Sequence, residues 1–520
     1  MIRFVAGVLL VGAVACHPGG GPGSAQYPSF LIRNARVFDG AKVLEATDVL
    51  VSNGAIVDVG PHLATPAGAR VIDGTHKTLI PGLIDSHFHT QGRGMLRQAA
   101  VFGVTTVADM NSDEQRLAHV KKHLPQYAEL EEAELHGAGH LITAPKGYAI
   151  EFGGIAVPSA AACKDIVAAR IAGGAEWIKI AVEDAAAMMK EPVPVLDAAT
   201  VAACAEAAHA AGLKIYAHVS TVAEAKEALD AGIDGLAHSP YDAPMPDDVL
   251  AELATKHVFV VSTLVTWHSL AGASMGPAAS KDPAFAPLLD SGNVANLIAK
   301  VPAAIGVASD KIHVDIAAAT IPRYLAAHVV LLAGTDAPVW GVAAGVSLHQ
   351  ELELLVAAGL SPIAALTAAT SAPADAFGWH DRGRIAPGLV ADLVLVDGDP
   401  TTRITATREI SAVWKHGYRI DRERWKKRVP LLDAGAAAYG KKDYRGAAAA
   451  YAQALALDPS DGETAYGLAE CEAQTGHLDA ALDHLLAAVK FDPAFAAIAK
   501  EDPDLVPLRS LKRYGDILAL

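Results

Sequence analysis

Short apolar stretches alternate with Ala-rich stretches of helical composition across residues 83–337, and this alternation constrains the fold more than any other feature of the chain. The strand candidates are LIDSHFH (83–89), VTTVADM (104–110), ELHGAGHLIT (134–143), EWIKIAVED (176–184), LKIYAHVS (213–220), DGLAHS (234–239), VFVVSTLV (258–265) and VVLLAGTDA (329–337). Helical stretches such as AACKDIVAARIAGG and VAACAEAAHAAG follow most of them. Eight such units over roughly 290 residues predict an α/β fold, a (β/α)8 TIM barrel whose chemistry collects at the C-terminal ends of its strands. The stretch from Thr266 to Tyr324 is long for one unit and is expected to form an excursion over the barrel mouth.

Different patterns flank this region. Residues 29–80 and 383–421 alternate apolar and polar residues between Asn-Gly and Asp-Gly turns, which reads as two sets of strands pairing into one small β-sandwich. From about residue 430 the chain is helical and repeats. ALALDP ends at Pro459 and AVKFDP ends at Pro493, 34 residues later, which is the period of a tetratricopeptide helix–turn–helix with a closing Pro. Only two repeats are readable, so a third packing partner is expected: the last helix near 507–518, the barrel, or both. The expected partition is a signal-type segment (1–16), a tether (17–28), the N-terminal half of the sandwich (29–80), the barrel (81–378), the C-terminal half of the sandwich (379–425) and helical repeats (430–520).

Formal net charge is −16, which argues against a nucleic-acid partner. The four cysteines, Cys16, Cys163, Cys204 and Cys471, form no metal-binding spacing. Cys163 and Cys204 lie in Ala-rich helical stretches and are expected to be buried free thiols. Cys16 closes MIRFVAGVLLVGAVAC, a charged start and a short apolar run too brief to span a bilayer. Ala13-Val14-Ala15-Cys16 reads as a lipobox, and Cys16 as a lipidation site; an ordinary cleaved or uncleaved signal is the alternative. The implied location is the bacterial cell envelope, lipid-anchored on the periplasmic side of the outer membrane, because His17 rather than Asp follows Cys16.

The chemistry starts at PGLIDSHFHT (81–90). Residues two apart on a strand face the same way, so His87 and His89 project together at a barrel strand end, a spacing that can chelate one Zn²⁺. Lys179 in EWIKI is, on its own residues, a strand-end lysine free to pair with Glu183 or Asp184. His218 and His238 end consecutive strand candidates, and Asp336 ends the last one.

Residues 29–425 resemble the amidohydrolase superfamily, in particular its imidazolonepropionase and prolidase-like (Xaa-amino-acid dipeptidase) branch. The motifs that carry the resemblance are PGLIDSHFHT, GAEWIKIAVED, KIYAHVS, AGIDGLAHSP, LLAGTDAP, SLHQELELLVAAGLSPIAALTAATSAPA and RGRIAPGLVADLVLVDGDP, in that order. The resemblance implies a metal-dependent hydrolase of amide or peptide C–N bonds that uses a metal-bridging hydroxide, with a dipeptide or N-acyl amino acid as substrate. It implies two divalent ions, Zn²⁺ by preference, and a carboxylated Lys179 bridging them. His87, His89 and Asp336 would hold one ion, His218 and His238 the other, with Asp336 and His238 catalytic. Lys146, Tyr148 and Glu151 are candidate substrate contacts on the loop after the third strand. The chain departs from the common dinuclear pattern at Ala237, Ser239, Val219 and Ser220, which alters the pocket wall and not the ligands. Two other readings stay open. One is a mononuclear cyclic-amide hydrolase or deaminase in which His238 polarises the substrate. The other is a non-catalytic envelope adaptor whose repeats bind a protein partner. Every site residue precedes residue 428, so removal of the repeats is expected to spare the chemistry.

Overall fold

The computed structural model describes residues 28–127 and 131–520; Cys16 and the signal-type segment lie outside the described residues. The chain enters through β1 (Phe30–Phe38), β2 (Val43–Ser52), β3 (Ala55–Gly60), β4 (Arg70–Asp73) and β5 (Lys77–Pro81). Next come β6 (Leu83–Phe88), β7 (Val104–Asp109) and β8 (Glu134–Gly137), which pair in parallel. A second parallel group holds β9 (Ile142–Thr143), β10 (Ile155–Ala156), β11 (Ile178–Ala181), β12 (Ile215–His218), β13 (Gly235–Ala237), β14 (Phe259–Val261) and β15 (Leu331–Leu332).

Backbone hydrogen bonds join the two groups into a ring. Glu176 N donates to Gly137 O (3.0 Å) on one side. On the other, Ser86 N donates to Ala333 O (3.0 Å) and Asp336 N to His87 O (2.7 Å). Every residue of β6 and β7 is buried, as strands covered on both faces must be. β16 (Leu393–Asp397), β17 (Ile410–Lys415) and β18 (Tyr418–Arg419) return to the entry strands. β16 pairs antiparallel with β5, so both flanks share one eight-stranded sheet. That sheet has its own apolar core, in which Phe30 stacks on Trp414 (5.2 Å).

Two strand expectations need correction. The stretch 134–143 breaks into β8 and β9, with Gly139 turning at φ +67°. VFVVSTLV ends as a strand at Val261, because Leu264–Leu270 is helical. An apolar run is equally compatible with strand and buried helix, and only the turn at Thr263 separates them here.

The cysteine expectation is overturned as well. Cys163 and Cys204 are disulfide-bonded, with Cα atoms 4.8 Å apart, and Cys471 is a buried free thiol. The bond joins the helices Cys163–Ala172 and Ala198–Ala210, which pack side by side on the outside of the barrel. The partners are 41 residues apart, one βα unit, so sequence spacing carries no sign of the pair. Reduction is expected to lower the unfolding free energy by roughly 2–4 kcal/mol. Denaturation with and without reductant, with mass mapping of the Cys163–Cys204 peptide pair, checks this.

The helices Arg422–Gly440, Tyr444–Leu457, Gly462–Gln474 and Leu478–Phe491 form the repeats. Both expected packing partners are used. Leu505, Leu508, Tyr514 and Ile517 from the last segment complete the repeat core. The barrel supplies the other face, through buried arginines on the helices that follow β6 and β7. Arg97 pairs with Asp458 (2.5 Å) and donates to Ser460 O (2.9 Å). Arg93 donates to Phe491 O (2.5 Å) and lies over its ring. Arg116 bonds Asp492 (2.8 Å) and, with its other arm, Thr90 O (2.9 Å), one residue past His89. Glu463 accepts from Gly94 N (2.7 Å).

A chain cut near 428 would strip these acceptors from three buried guanidiniums beside the His89 loop. The contacts therefore revise the expectation that removing the repeats spares the chemistry. Asp492→Ala is expected to cost roughly 3–5 kcal/mol, since it leaves the buried Arg116 charge without its carboxylate. Asp483→Ala, at an exposed pair with Arg513, should change stability little. Chemical denaturation of both variants compares them.

Candidate metal centre

The site is assembled from the C-terminal ends of β6, β11, β12, β13 and β15. The seam between β6 and β15 comes first. Asp85 is fully buried, and its carboxylate accepts from Thr335 N (2.9 Å), Thr335 Oγ1 (2.6 Å) and His87 N (3.2 Å). Gly334 allows the close approach: a Cβ there would stand 2.8 Å from His87 N. The clamp brings Asp336 over the two histidines, with Oδ1 2.9 Å from His89 Nε2 and 3.3 Å from His87 Nε2. Asp336 itself sits at φ 63°, a left-handed conformation that points to local strain.

His87 is buried and His89 is partly exposed toward the mouth. Ligand atoms of His87, His238 and Asp336 all lie within 4.8 Å of one another. The His87 ring is 4.5 Å from that of His238, which is 4.6 Å from that of His218. Burial pushes both His87 and His218 down to about 3, so both are neutral nitrogen donors at physiological pH. Burial would raise the Asp336 carboxyl, but His87, His89 and His238 outweigh it and hold the group well below its ordinary value.

Lys179 lies on β11 with 2% exposure. Its Nζ has no hydrogen-bond partner among the described residues. The alternative partners bond elsewhere: Asp184 accepts from Ala186 N, and Glu183 Oε1 accepts from Ala185 N. Burial lowers the Lys179 amine to about 7, partly opposed by Asp336, so a neutral amine is available. An unpartnered buried amine amid neutral imidazoles and a carboxylate suits a group that takes up an anion between cations. The donor set fits a divalent metal: His87, His238 and Asp336 converge, with His89 against Asp336 and His218 against His238.

The substrate-contact candidates separate. Tyr148 stacks on His218 at 4.2 Å, and burial followed by Asp336 raises its phenol well above the ordinary value. Lys146 and Glu151 are on the same loop but exposed. Away from the site, His349 bridges Thr407 and Phe102 O, and His136 bonds Glu176; both are structural. Sequence reasoning missed Asp85, Thr263 and Glu351. Asp85 and Glu351 lie inside motifs whose other residues draw the eye, while Thr263 sits in an apolar run that reads as strand.

A parallel barrel with four imidazoles, a lysine and an aspartate at its strand ends has the architecture of a metal-dependent hydrolase. The chain belongs to the amidohydrolase family: residues 78–420 match that family's sequence model, and residues 438–500 match the tetratricopeptide repeat. It is similar to a solved Xaa-Pro dipeptidase with methionine bound in its active site (TM-score 0.61, 20% identity, 75% of this chain and 99% of that one). A prolidase complexed with N-methylphosphonate-L-proline is similar too (TM-score 0.59, 21% identity, 75% and 99%). At these identities the likeness shows the fold. Among curated proteins, a dihydroorotase of Geobacter sulfurreducens is 41% identical over 92 residues, 16% of this chain and 22% of the relative. The match thus spans about a fifth of that relative's length.

Asp85→Ala is expected to cost at least roughly 1–3 kcal/mol, the penalty for orphaning a buried donor, and to loosen Asp336. Denaturation curves together with metal retention on dialysis check both effects.

Proposed function

We propose that this protein is a two-metal hydrolase of amide or peptide C–N bonds, with dipeptides or N-acyl amino acids as its substrate class. The observation that carries the reading is the buried, unpartnered Lys179 amine among neutral histidines at the strand ends. In the mononuclear reading that amine has no role. Two divalent ions, when bound, would supply Lewis acidity and make water nucleophilic at neutral pH.

The chain's own residues do the rest. Carboxylated Lys179 would neutralise repulsion between the two cation positions. Asp336, held ionised, is placed to take a proton from the attacking water and hand it to the leaving amine nitrogen. Tyr148 keeps its phenolic proton and can donate a hydrogen bond to a substrate oxygen beside His218. The fold shared with dipeptidase structures supports the peptide-like substrate class.

Lys179→Ala is expected to lose most activity and one of two bound ions per chain, with partial rescue by acetate filling the vacated space. Elemental analysis and a dipeptide and N-acyl amino acid hydrolysis screen measure this. Full activity in Lys179→Ala with one tightly bound ion would favour the mononuclear reading, with His238 polarising the substrate.

The proposed site of action is the cell envelope, through lipid attachment at Cys16. The Cys163–Cys204 disulfide supports an oxidising compartment. Cys16→Ser should move the protein from the membrane to the soluble fraction on fractionation; a wild-type protein found wholly in the cytoplasm would remove this reading. The repeats are the proposed contact for a protein partner.

A further inference from the structure

His218 and His238 turn one ring nitrogen each toward the other: His238 Nε2 and His218 Nδ1 are 3.0 Å apart. The opposite nitrogens point away, and each meets a side chain that is not among the proposed ligands. His218 Nε2 lies 3.3 Å from Glu183 Oε2, whose side chain is fully buried. His238 Nδ1 lies 2.7 Å from Thr263 Oγ1. A neutral imidazole carries one proton, and the nitrogen that holds it cannot bind a cation. The partner of the far nitrogen therefore decides which nitrogen is free.

We propose that Thr263 is a positioning residue that sets the tautomer of His238, aiming the Nε2 lone pair into the space this ring shares with His218 Nδ1. This rests on the two-metal reading above for the identity of the ion that takes that lone pair. Thr263, accepting through its hydroxyl oxygen, draws the proton to His238 Nδ1 and frees Nε2. In the metal-free protein His238 Nε2 then accepts from His218 Nδ1 across 3.0 Å, and a cation bound there would leave the His218 proton on its Nε2.

The surroundings of Thr263 favour this role over a purely structural one. Thr263 adopts φ 47°, ψ 37°, a left-handed conformation that a β-branched residue rarely takes. Buried Glu351 holds it there, its carboxylate accepting from Ser262 Oγ, Leu264 N (3.1 Å) and Val265 N (2.7 Å). A strained turn clamped from both sides delivers one hydroxyl to one ring nitrogen.

The test uses the full chain labelled with ¹⁵N-histidine and freed of metal. Long-range ¹H–¹⁵N correlation at alkaline pH should show His238 protonated at Nδ1. Thr263→Val, which keeps the β-branch and removes the hydroxyl, should mix the His238 tautomers. In chelator competition with Zn²⁺, it should bind the second ion about 10–100-fold more weakly and the first ion as wild type does. Thr263→Ser should restore wild-type binding. The Nε2 tautomer of His238 in wild type, or an unchanged tautomer and zinc affinity in Thr263→Val, would overturn the proposal. If wild type shows the stated tautomer but takes up only one zinc ion, the positioning stands and the two-metal reading falls.

Discussion

The seam between the first and last barrel strands is the constraint on which the site depends. A parallel barrel must close on itself, and here closure and ligand placement are one event. Asp85, two residues before His87, captures Thr335, the residue before Asp336. The same carboxylate that completes the ring thus draws the aspartate of the last strand over the histidines of the first. The carboxylate is fully buried and takes both donors of Thr335 and the N–H of His87.

Much of this is legible in the amino-acid sequence. The alternation of strand and helix implies a parallel sheet covered on both faces, eight such units suit a closed ring, and H-x-H at a strand end follows from a period of two. The six chemistry-bearing positions come together at one end of the ring. What escapes the sequence are features that depend on through-space partners. Cys163 and Cys204 meet because adjacent βα units stack their helices, a distance that spacing along the chain does not encode. Thr263 reads as another apolar-run residue until its backbone turns left-handed. Glu351 sits on a helix 89 residues after Ser262, and nothing local marks it as the acceptor for that turn. Lys146 and Glu151 resemble mouth residues because they flank Tyr148, yet only Tyr148 stacks on a site histidine; its neighbours stay in solvent.

Some of the strained backbone lies where the ligands do. His238 (φ 91°), Thr263 (φ 47°) and Asp336 (φ 63°) all adopt left-handed backbone, although none is glycine. Each is over-determined by its surroundings: His238 by Thr263, Thr263 by the Glu351 clamp, Asp336 by the seam. Rigid surroundings of this kind hold donors at fixed separations before a cation arrives, and the energy for that order comes from hydrogen bonds made elsewhere in the barrel.

The repeats are attached to the barrel at two consecutive corners. Asp458 closes one repeat and meets Arg97; Asp492 closes the next and meets Arg116. Arg97 lies on the helix after β6 and Arg116 on the helix after β7, so the two anchor points are fixed relative to each other by the barrel. Solenoids ordinarily lengthen and shorten by whole units, because each unit contacts only its neighbours. Here the spacing between corners must match a span set by a different domain. Inserting one more unit between Pro459 and Pro493 would carry the second corner off its arginine. Duplication, the usual route by which such arrays diversify, is closed between these corners, and growth is left to the C-terminal end.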